Sequence, residues 1–230
     1  MVSWEELYSR NKIFYIRGLI YTDTTTYREI TYYNPDVNQL EELSSYSFYT
    51  GEVFYIYDYP SLFGNILITT ILPNYRVAYT HTFLDDQQKD KEFKYTIHII
   101  DLKNFNESVI IHHYTPFETN TAKKKGKIYD KEMVDEYSEK HKYLPALCAL
   151  IYDRDLIFAV REVKFGTYQS DDFRYPADIF NAKTGNYIRT VEFPFKPKYI
   201  KNGYLYRQWE NSEKYPIIEK YRIDPWVYGK

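Results

Sequence analysis

The feature that most restricts the fold of this chain is the recurrence of short apolar runs that end in Asp or Asn. These runs end at Asp58 ("VFYIYD"), Asp101 ("YTIHIID"), Asn181 ("YPADIFN") and Asp224 ("IIEKYRID"). Successive ends are 43, 80 and 43 residues apart. Because short runs with alternating apolar residues are typical of half-buried strands, the spacing predicts a repeated unit of β-strands.

The longest interval contains residues 115–145, a charged segment without any strand-like run. Its length accounts for most of the excess over 43 residues, so the segment is interpreted as an insertion into a regular repeat. Lys123, Lys124 and Lys125 form a basic group in it, and the following "DKEMVDEYSEKH" is compatible with a short helix capped by Asp130.

A period near 43 residues with several strands in each unit matches a four-stranded propeller blade. In "NAKTG", Asn181 can accept hydrogen bonds from the following backbone, and Gly185 can adopt the left-handed conformation that closes such a turn. In the "DLKNFN" copy, Asn104 or Asn106 would take the place of this glycine. The predicted fold is all-β, a β-propeller of about four recognisable blades in one domain over 1–230, with the insertion 115–145.

The last repeat is incomplete, because only "PWVYGK" follows Asp224. This is too short for an outer strand, and an unpaired strand edge promotes aggregation. We therefore expect the N-terminal run "KIFYIRGLIYT", residues 12–22, to pair beside residues 214–223 and to complete the last blade.

Composition excludes several classes of protein. The net charge of −2 argues against a nucleic-acid-binding protein, and the chain has no apolar run long enough to cross a membrane. No signal peptide is recognisable at its start. Aromatic residues make up 20% of the chain, with 28 Tyr, which indicates either strands covered on one face or an aromatic face that binds sugar or peptide.

Residues 146–224 resemble the C-terminal blades of six-bladed, TolB-like β-propeller proteins of Bacteroidetes. The likeness lies in "DIFNAKTGNYIRTV" and in "NGYLY" followed by "YPIIEKYRI". The resemblance implies an exported protein, often a lipoprotein, in a family of largely unknown function. This chain differs by its missing signal peptide and lipobox and by its smaller number of blades. These differences are compatible with three alternatives: a partial propeller, a C-terminal fragment of a larger propeller protein, or a propeller with further, diverged blades.

Histidines and paired acids are the candidate ligands and acid–base groups. His112 and His113 are adjacent on a strand, so they point to opposite faces, whereas His81 and His98 can approach each other across neighbouring strands. No metal site is predicted from these residues or from His141. The acid pairs Asp85–Asp86 and Asp171–Asp172 are interpreted as solvated turns, in preference to calcium ligands or glycosidase carboxylates.

A single cysteine and two tryptophans are further candidates for a site. Cys148 is the only cysteine and lies in an apolar run, which predicts a buried, unreactive thiol. Trp209 and Trp226 are the best platforms for a stacked ligand, although both are expected to pack at blade junctions.

The sequence favours a non-catalytic binding or scaffold protein whose partner is a protein, a peptide or a glycan, with 115–145 as the segment that departs from plain blade architecture. The alternative is a propeller glycoside hydrolase or lyase. No catalytic, cofactor-binding or metal-binding residue and no cofactor is assigned, and the cellular location stays open.

Overall fold

The computed structural model describes residues 2–10, 13–21, 25–34, 38–49, 67–82, 85–89, 92–119, 142–163, 174–210 and 215–229. These residues form antiparallel sheets, which confirms the all-β class. The chain divides into two compact units, residues 1–60 and 61–230. None of the helical structure in the described part of the chain has the length and apolar character needed to span a membrane.

The first unit is a four-stranded sheet in chain order. Its strands are β1 (Val2–Arg10), β2 (Ile13–Tyr21), β3 (Thr25–Asn34) and β4 (Gln39–Tyr49). Near the start of β2, Tyr15 is opposite Tyr8 of β1 and Tyr32 of β3. The prediction that 12–22 pairs beside 214–223 is therefore wrong, because both edges of β2 are already paired. Strands adjacent in sequence pair at a low cost in loop-closure entropy, which explains this outcome.

The second unit begins with a sheet built around one long strand. Its strands are β5 (Leu67–Leu72), β6 (Arg76–His81), β7 (Asp86–Lys89), β8 (Glu92–Asp101) and β9 (Glu107–His113). Strands β6 and β7 lie end to end along one side of β8, and β9 pairs with its other side. The sheet therefore runs in chain order and is four strands wide.

Two further sheets follow in the same unit. The middle sheet has β10 (Leu147–Asp153), β11 (Leu156–Arg161), β12 (Tyr175–Asn181) and β13 (Tyr187–Phe193), and the last has β14 (Tyr199–Lys201), β15 (Tyr204–Glu210) and β16 (Pro216–Arg222). Both run in chain order, and a 3-10 helix, Pro225–Tyr228, comes after β16.

In each of the three sheets of the second unit, the turn of the first hairpin contains two successive residues with left-handed backbone conformation. They are Asn74 and Tyr75, Arg154 and Asp155, and Asn202 and Gly203. Two positive φ angles in a row are the mark of a type I′ turn, whose twist matches that of the strands it joins.

The turn at Asn181 forms as predicted. The Asn181 side chain accepts hydrogen bonds from the backbone N–H groups of Lys183 and Thr184, at 2.9 and 3.0 Å, and Gly185 has a φ of 72°. In the Asp101 copy the left-handed position is taken by Phe105, with a φ of 56°, and not by Asn104 or Asn106. The Phe105 N–H donates to the Asp101 carbonyl at 2.8 Å, which holds this less favourable conformation.

The last repeat is in a different register from the one predicted. Arg222 lies opposite Tyr204, as Asn181 lies opposite Leu156, so Arg222 and not Asp224 is the equivalent of Asn181. Asp224 caps the 3-10 helix by accepting a hydrogen bond from the Trp226 N–H at 2.9 Å. Asp58, the first of the predicted strand ends, lies outside the described residues.

The core of the second unit lies between its stacked sheets. Ile157 and Phe180 of the middle sheet pack toward the first sheet, whereas Phe158 and Ile179 pack toward the last. Burial on both faces explains why the middle strands are almost continuously apolar. Strand β10 contacts β5 on one side and β14 on the other, so the first strands of the three sheets are neighbours.

The described ends of the segment 115–145 pair with each other. Glu118 pairs with Tyr143, and the Thr119 N–H donates to the Lys142 carbonyl at 3.0 Å. The predicted helix with Asp130 as its cap, together with the three lysines before it, lies outside the described residues.

Candidate functional site

A concave site lies where the β10–β11 turn, the β14–β15 turn and the end of β16 meet. Its cavity volume is about 260 Å³. We call it the arginine pocket and define it by Arg154, Tyr204, Arg222, Pro225 and Tyr228, which line it. Three separate elements contribute to it, so the pocket depends on the packing of the middle sheet, the last sheet and the 3-10 helix.

A buried carboxylate beneath the pocket holds these elements together. Asp153, at the end of β10, accepts hydrogen bonds from the backbone N–H groups of Asn202 and Gly203 at 2.7 and 2.8 Å. It also accepts one from the Tyr228 hydroxyl at 2.8 Å. Burial and this bond to Asp153 raise the pKa of Tyr228, which keeps its hydroxyl protonated as a donor.

Arg154 is positioned by the backbone and by an aromatic ring. Its Nη2 donates to the Asn202 carbonyl at 2.6 Å, and its guanidinium carbon lies 5.3 Å from the centre of the Tyr228 ring. Gly203 allows this approach, because a Cβ there would lie 2.9 Å from Arg154 Nη1. The turn sequence therefore fixes the guanidinium as well as the chain reversal.

Arg222 supplies a second guanidinium at the end of β16. It is exposed and lies opposite Tyr204, whose ring centre is 3.9 Å from Lys220 Nζ. Among the described residues, no carboxylate lies within 4.0 Å of the guanidinium of Arg154 or Arg222. Two guanidinium groups in a concave site can bind a carboxylate or another oxyanion through paired N–H donors.

Trp226 lies beside the arginine pocket, next to Pro225, and is 58% exposed. The guanidinium carbon of Arg189 lies 4.1 Å from the centre of the Trp226 ring system, and Arg189 Nη1 donates to the Trp226 carbonyl at 2.9 Å. Trp226 therefore packs against the middle sheet through Arg189 and keeps part of its surface exposed; that it packs at a blade junction stays a prediction. The Trp209 side chain lies outside the described residues.

A second cluster surrounds His98 on β8. Nδ1 of His98 lies 2.8 Å from Glu107 Oε1, and its Nε2 lies 3.1 Å from Asp85 Oδ1. The hydrogen bond to Asp85 is the main cause that raises the pKa of His98. Both ring nitrogens are engaged by carboxylates, so the imidazole has no nitrogen left to act as a general base.

This cluster contains residues of two pairs singled out in the sequence, His81 with His98 and Asp85 with Asp86. The rings of His81 and His98 lie 5.8 and 4.9 Å from the ring of Tyr79, and a direct approach of the two imidazoles stays a prediction. The interpretation of Asp85 and Asp86 as solvated turn residues is wrong. Asp85 bonds His98, and Asp86 accepts hydrogen bonds from the Tyr114 hydroxyl and the Ala146 N–H at 2.7 and 2.9 Å. The pair Asp171–Asp172 and His141 lie outside the described residues.

A third cluster is centred on Asp178 of β12, whose side chain is 2% exposed. It accepts hydrogen bonds from the Tyr95 hydroxyl at 2.8 Å and from the Thr190 hydroxyl at 2.6 Å. Arg161 Nε and His112 Nε2 lie 3.7 and 3.8 Å from its Oδ2. Burial is the main cause that lowers the pKa of His112. Sequence reasoning missed Asp178, although an acid between Ala177 and Ile179 in a fully buried strand was a signal for it.

His112 and His113 point to opposite faces of β9, as predicted. The His112 ring stacks on Tyr187 with centres 4.6 Å apart, whereas His113 is exposed. Within the described ranges, no three His, Cys, Asp or Glu side chains are arranged to hold a metal ion.

Cys148 is the buried thiol that the sequence predicts. Burial raises its pKa to about 12, and its Sγ lies 3.5 Å from the Arg161 carbonyl oxygen. A thiol in this state is a poor nucleophile at neutral pH.

Comparisons with protein-family models, with curated proteins and with solved structures found no match.

Proposed function

We propose that this protein is a non-catalytic binding protein that takes an acidic ligand into the arginine pocket. The carrying observation is that Arg154 and Arg222 line one cavity and that neither has a carboxylate partner among the described residues. Hydrogen bonds between charged groups contribute about 1.5–3 kcal/mol each, so a ligand carboxylate between these two side chains is bound specifically.

The aromatic residues around the pocket support the same proposal. Tyr204, Tyr228 and the exposed Trp226 offer flat apolar surfaces next to the guanidinium groups. A ligand that carries a carboxylate on an otherwise apolar or planar frame contacts both kinds of surface.

We also propose that the sheets of residues 61–230 are blades of a β-propeller, as the resemblance over 146–224 implies. Three features support this arrangement: the strands of each sheet follow one another in chain order, the sheets stack face to face, and their first strands β5, β10 and β14 are neighbours. Blades of this kind place turns from successive sheets side by side, which is how the arginine pocket is formed.

Titration with small anions tests the binding proposal. Acetate, succinate and citrate are added to the whole chain, with sulfate as a competitor, and binding is followed by calorimetry. We expect the carboxylates to bind and the Arg222→Gln variant to weaken them at least about tenfold, which corresponds to one lost charged hydrogen bond.

The matched control is Arg174→Gln, which removes an exposed arginine outside the pocket. It should bind the same anions as the unchanged protein does. If the unchanged protein and the Arg222→Gln variant bind the carboxylates with equal affinity, the proposal is contradicted.

A further inference from the structure

Among the described residues, the last sheet of the second unit has three strands, one fewer than the width of its neighbours. Strand β13 covers the outer edge of β12, and β9 covers that of β8, whereas β15 is the only partner of β16 among the described residues. Ile218 in the middle of β16 is 71% exposed. An open edge of this kind presents backbone groups that can pair with one more strand.

The register of β16 against β15 shows which backbone N–H groups of β16 point away from β15. The Ile223 N–H donates to the Gly203 carbonyl at 3.0 Å, and in an antiparallel ladder alternate residues bond to the same neighbour. The N–H groups of Ile217, Glu219 and Tyr221 therefore point to β15, and those of Ile218, Lys220 and Arg222 point outward.

Pro216 falls in the outward set. Proline has no N–H to donate, so it is tolerated at the outward positions of an edge strand. The position of Pro216 is therefore the one expected if the edge of β16 that points away from β15 is unpaired.

One face of this edge carries two cations, whereas Glu219 on the other face lies 3.9 Å from Arg207 Nη1. Lys220 and Arg222 lie on one face of the sheet, opposite Tyr206 and Tyr204, and Lys201 of β14 is also opposite Tyr204. The neighbouring pair on this face, Ile218 and Gln208, is uncharged. The edge and the face therefore favour a strand with acidic side chains.

We propose that the ligand of the arginine pocket is an acidic, extended polypeptide segment that adds to β16 as an antiparallel fourth strand. The inference rests on the proposed function, because the acidic side chain opposite Arg222 is the one that enters the pocket. A second acidic side chain two positions further along the segment lies opposite Lys220. Main-chain hydrogen bonds give the affinity, and the alternating side chains give the specificity.

A second copy of this chain is disfavoured as the occupant. Full antiparallel overlap of two β16 edges places Lys220 opposite Ile218 and Arg222 opposite Pro216, so a second copy offers neither cation an acidic partner. An acidic strand does offer such partners, and opposite charges across neighbouring strands stabilise the pairing.

The test uses a peptide as long as β16 in which Glu alternates with Val, and the same peptide with Gln in place of Glu. A third peptide carries N-methyl groups on the amides that would face β16. Affinities for the whole chain are measured by calorimetry. We expect the Glu peptide to bind at least tenfold more tightly than either the Gln or the N-methylated peptide. Equal binding of the Glu and N-methylated peptides would overturn strand addition, and equal binding of the Glu and Gln peptides would overturn the acidic partner.

Two protein variants separate this inference from the proposed function. Ile218→Pro removes one outward N–H without changing the charge, and Ile218→Thr is its matched control. Ile218→Pro should bind the Glu peptide at least tenfold more weakly than the unchanged protein does and should still bind succinate and citrate. Arg222→Gln should bind the Glu peptide and the small anions more weakly. If Ile218→Pro fails to fold, the N-methylated peptide decides the question with the unchanged protein. A dimer in solution that Ile218→Pro abolishes would identify a second copy as the occupant and overturn the inference.

Discussion

At the scale of single residues, two neighbouring carboxylates influence the charge of His98. Asp85 and Glu107 bond its two ring nitrogens, and the Tyr79 ring stacks on it with centres 4.9 Å apart. The Tyr79 hydroxyl donates to the same Glu107 oxygen at 2.7 Å. Folding therefore favours the imidazolium form of His98.

This raised pKa predicts the direction of a pH effect on stability. The folded-state pKa of His98 lies above the ordinary value of 6.5, so its stabilising contribution is complete below that value. The contribution is lost as the pH rises through the folded-state pKa. The difference in free energy of unfolding between the unchanged protein and His98→Gln, measured by urea denaturation, should therefore shrink as the pH rises from below 6.5 through the folded-state pKa.

The control for this prediction is Asp85→Asn, which removes the largest cause of the raised pKa. In that background the same difference should be smaller and should vary less with pH. A stability difference that grows as the pH rises would contradict the assignment of His98 as an imidazolium ion.

At the scale of elements, one carboxylate connects a strand end, a hairpin turn and the 3-10 helix. Replacing Asp153 with Ala leaves the N–H groups of Asn202 and Gly203 and the Tyr228 hydroxyl without their acceptor. We expect a loss of about 3 kcal/mol in the free energy of unfolding, because each unsatisfied buried donor costs about 1 kcal/mol or more. Urea denaturation at pH 7 measures this loss.

Tyr228→Phe is the matched control, since it removes only one of these hydrogen bonds. It should lower the free energy of unfolding by about 1 kcal/mol. If Asp153→Ala destabilises the protein no more than Tyr228→Phe does, Asp153 does not organise the turn and the helix together.

The elements differ in how far the sequence predicts them. The sequence predicts the strand at 12–22 and the turn at Asn181, because alternation of apolar residues and turn chemistry are local properties. The partner of β2 was predicted wrongly, since pairing depends on which edges are free. The Phe105 turn was also missed, because the Asp101 carbonyl that holds it is a backbone group and leaves no mark in the sequence.

At the scale of the whole molecule, the candidate sites were the least predictable features. Arg154 and Arg222 are 68 residues apart in the sequence and meet only because sheets stack. Tyr95 and Asp178 are separated by 83 residues. Neither pair has a local motif, and the register difference of two residues at Asp224 concealed the position of Arg222. The sequence therefore predicts the strands of such a fold better than the sites between its sheets.

The stacking of sheets within residues 61–230 is itself open to a direct test at Asp178. Its carboxylate on the middle sheet accepts a hydrogen bond from Tyr95 of the first sheet, with Arg161 nearby as the compensating charge. Asp178→Ala leaves that arginine partly buried without its acid, so it should lower the free energy of unfolding by about 3–5 kcal/mol. Tyr95→Phe removes one hydrogen bond and should cost about 1 kcal/mol. Urea denaturation of both variants measures the difference, and equal losses would mean that the buried charge of Asp178 does not hold the two sheets together.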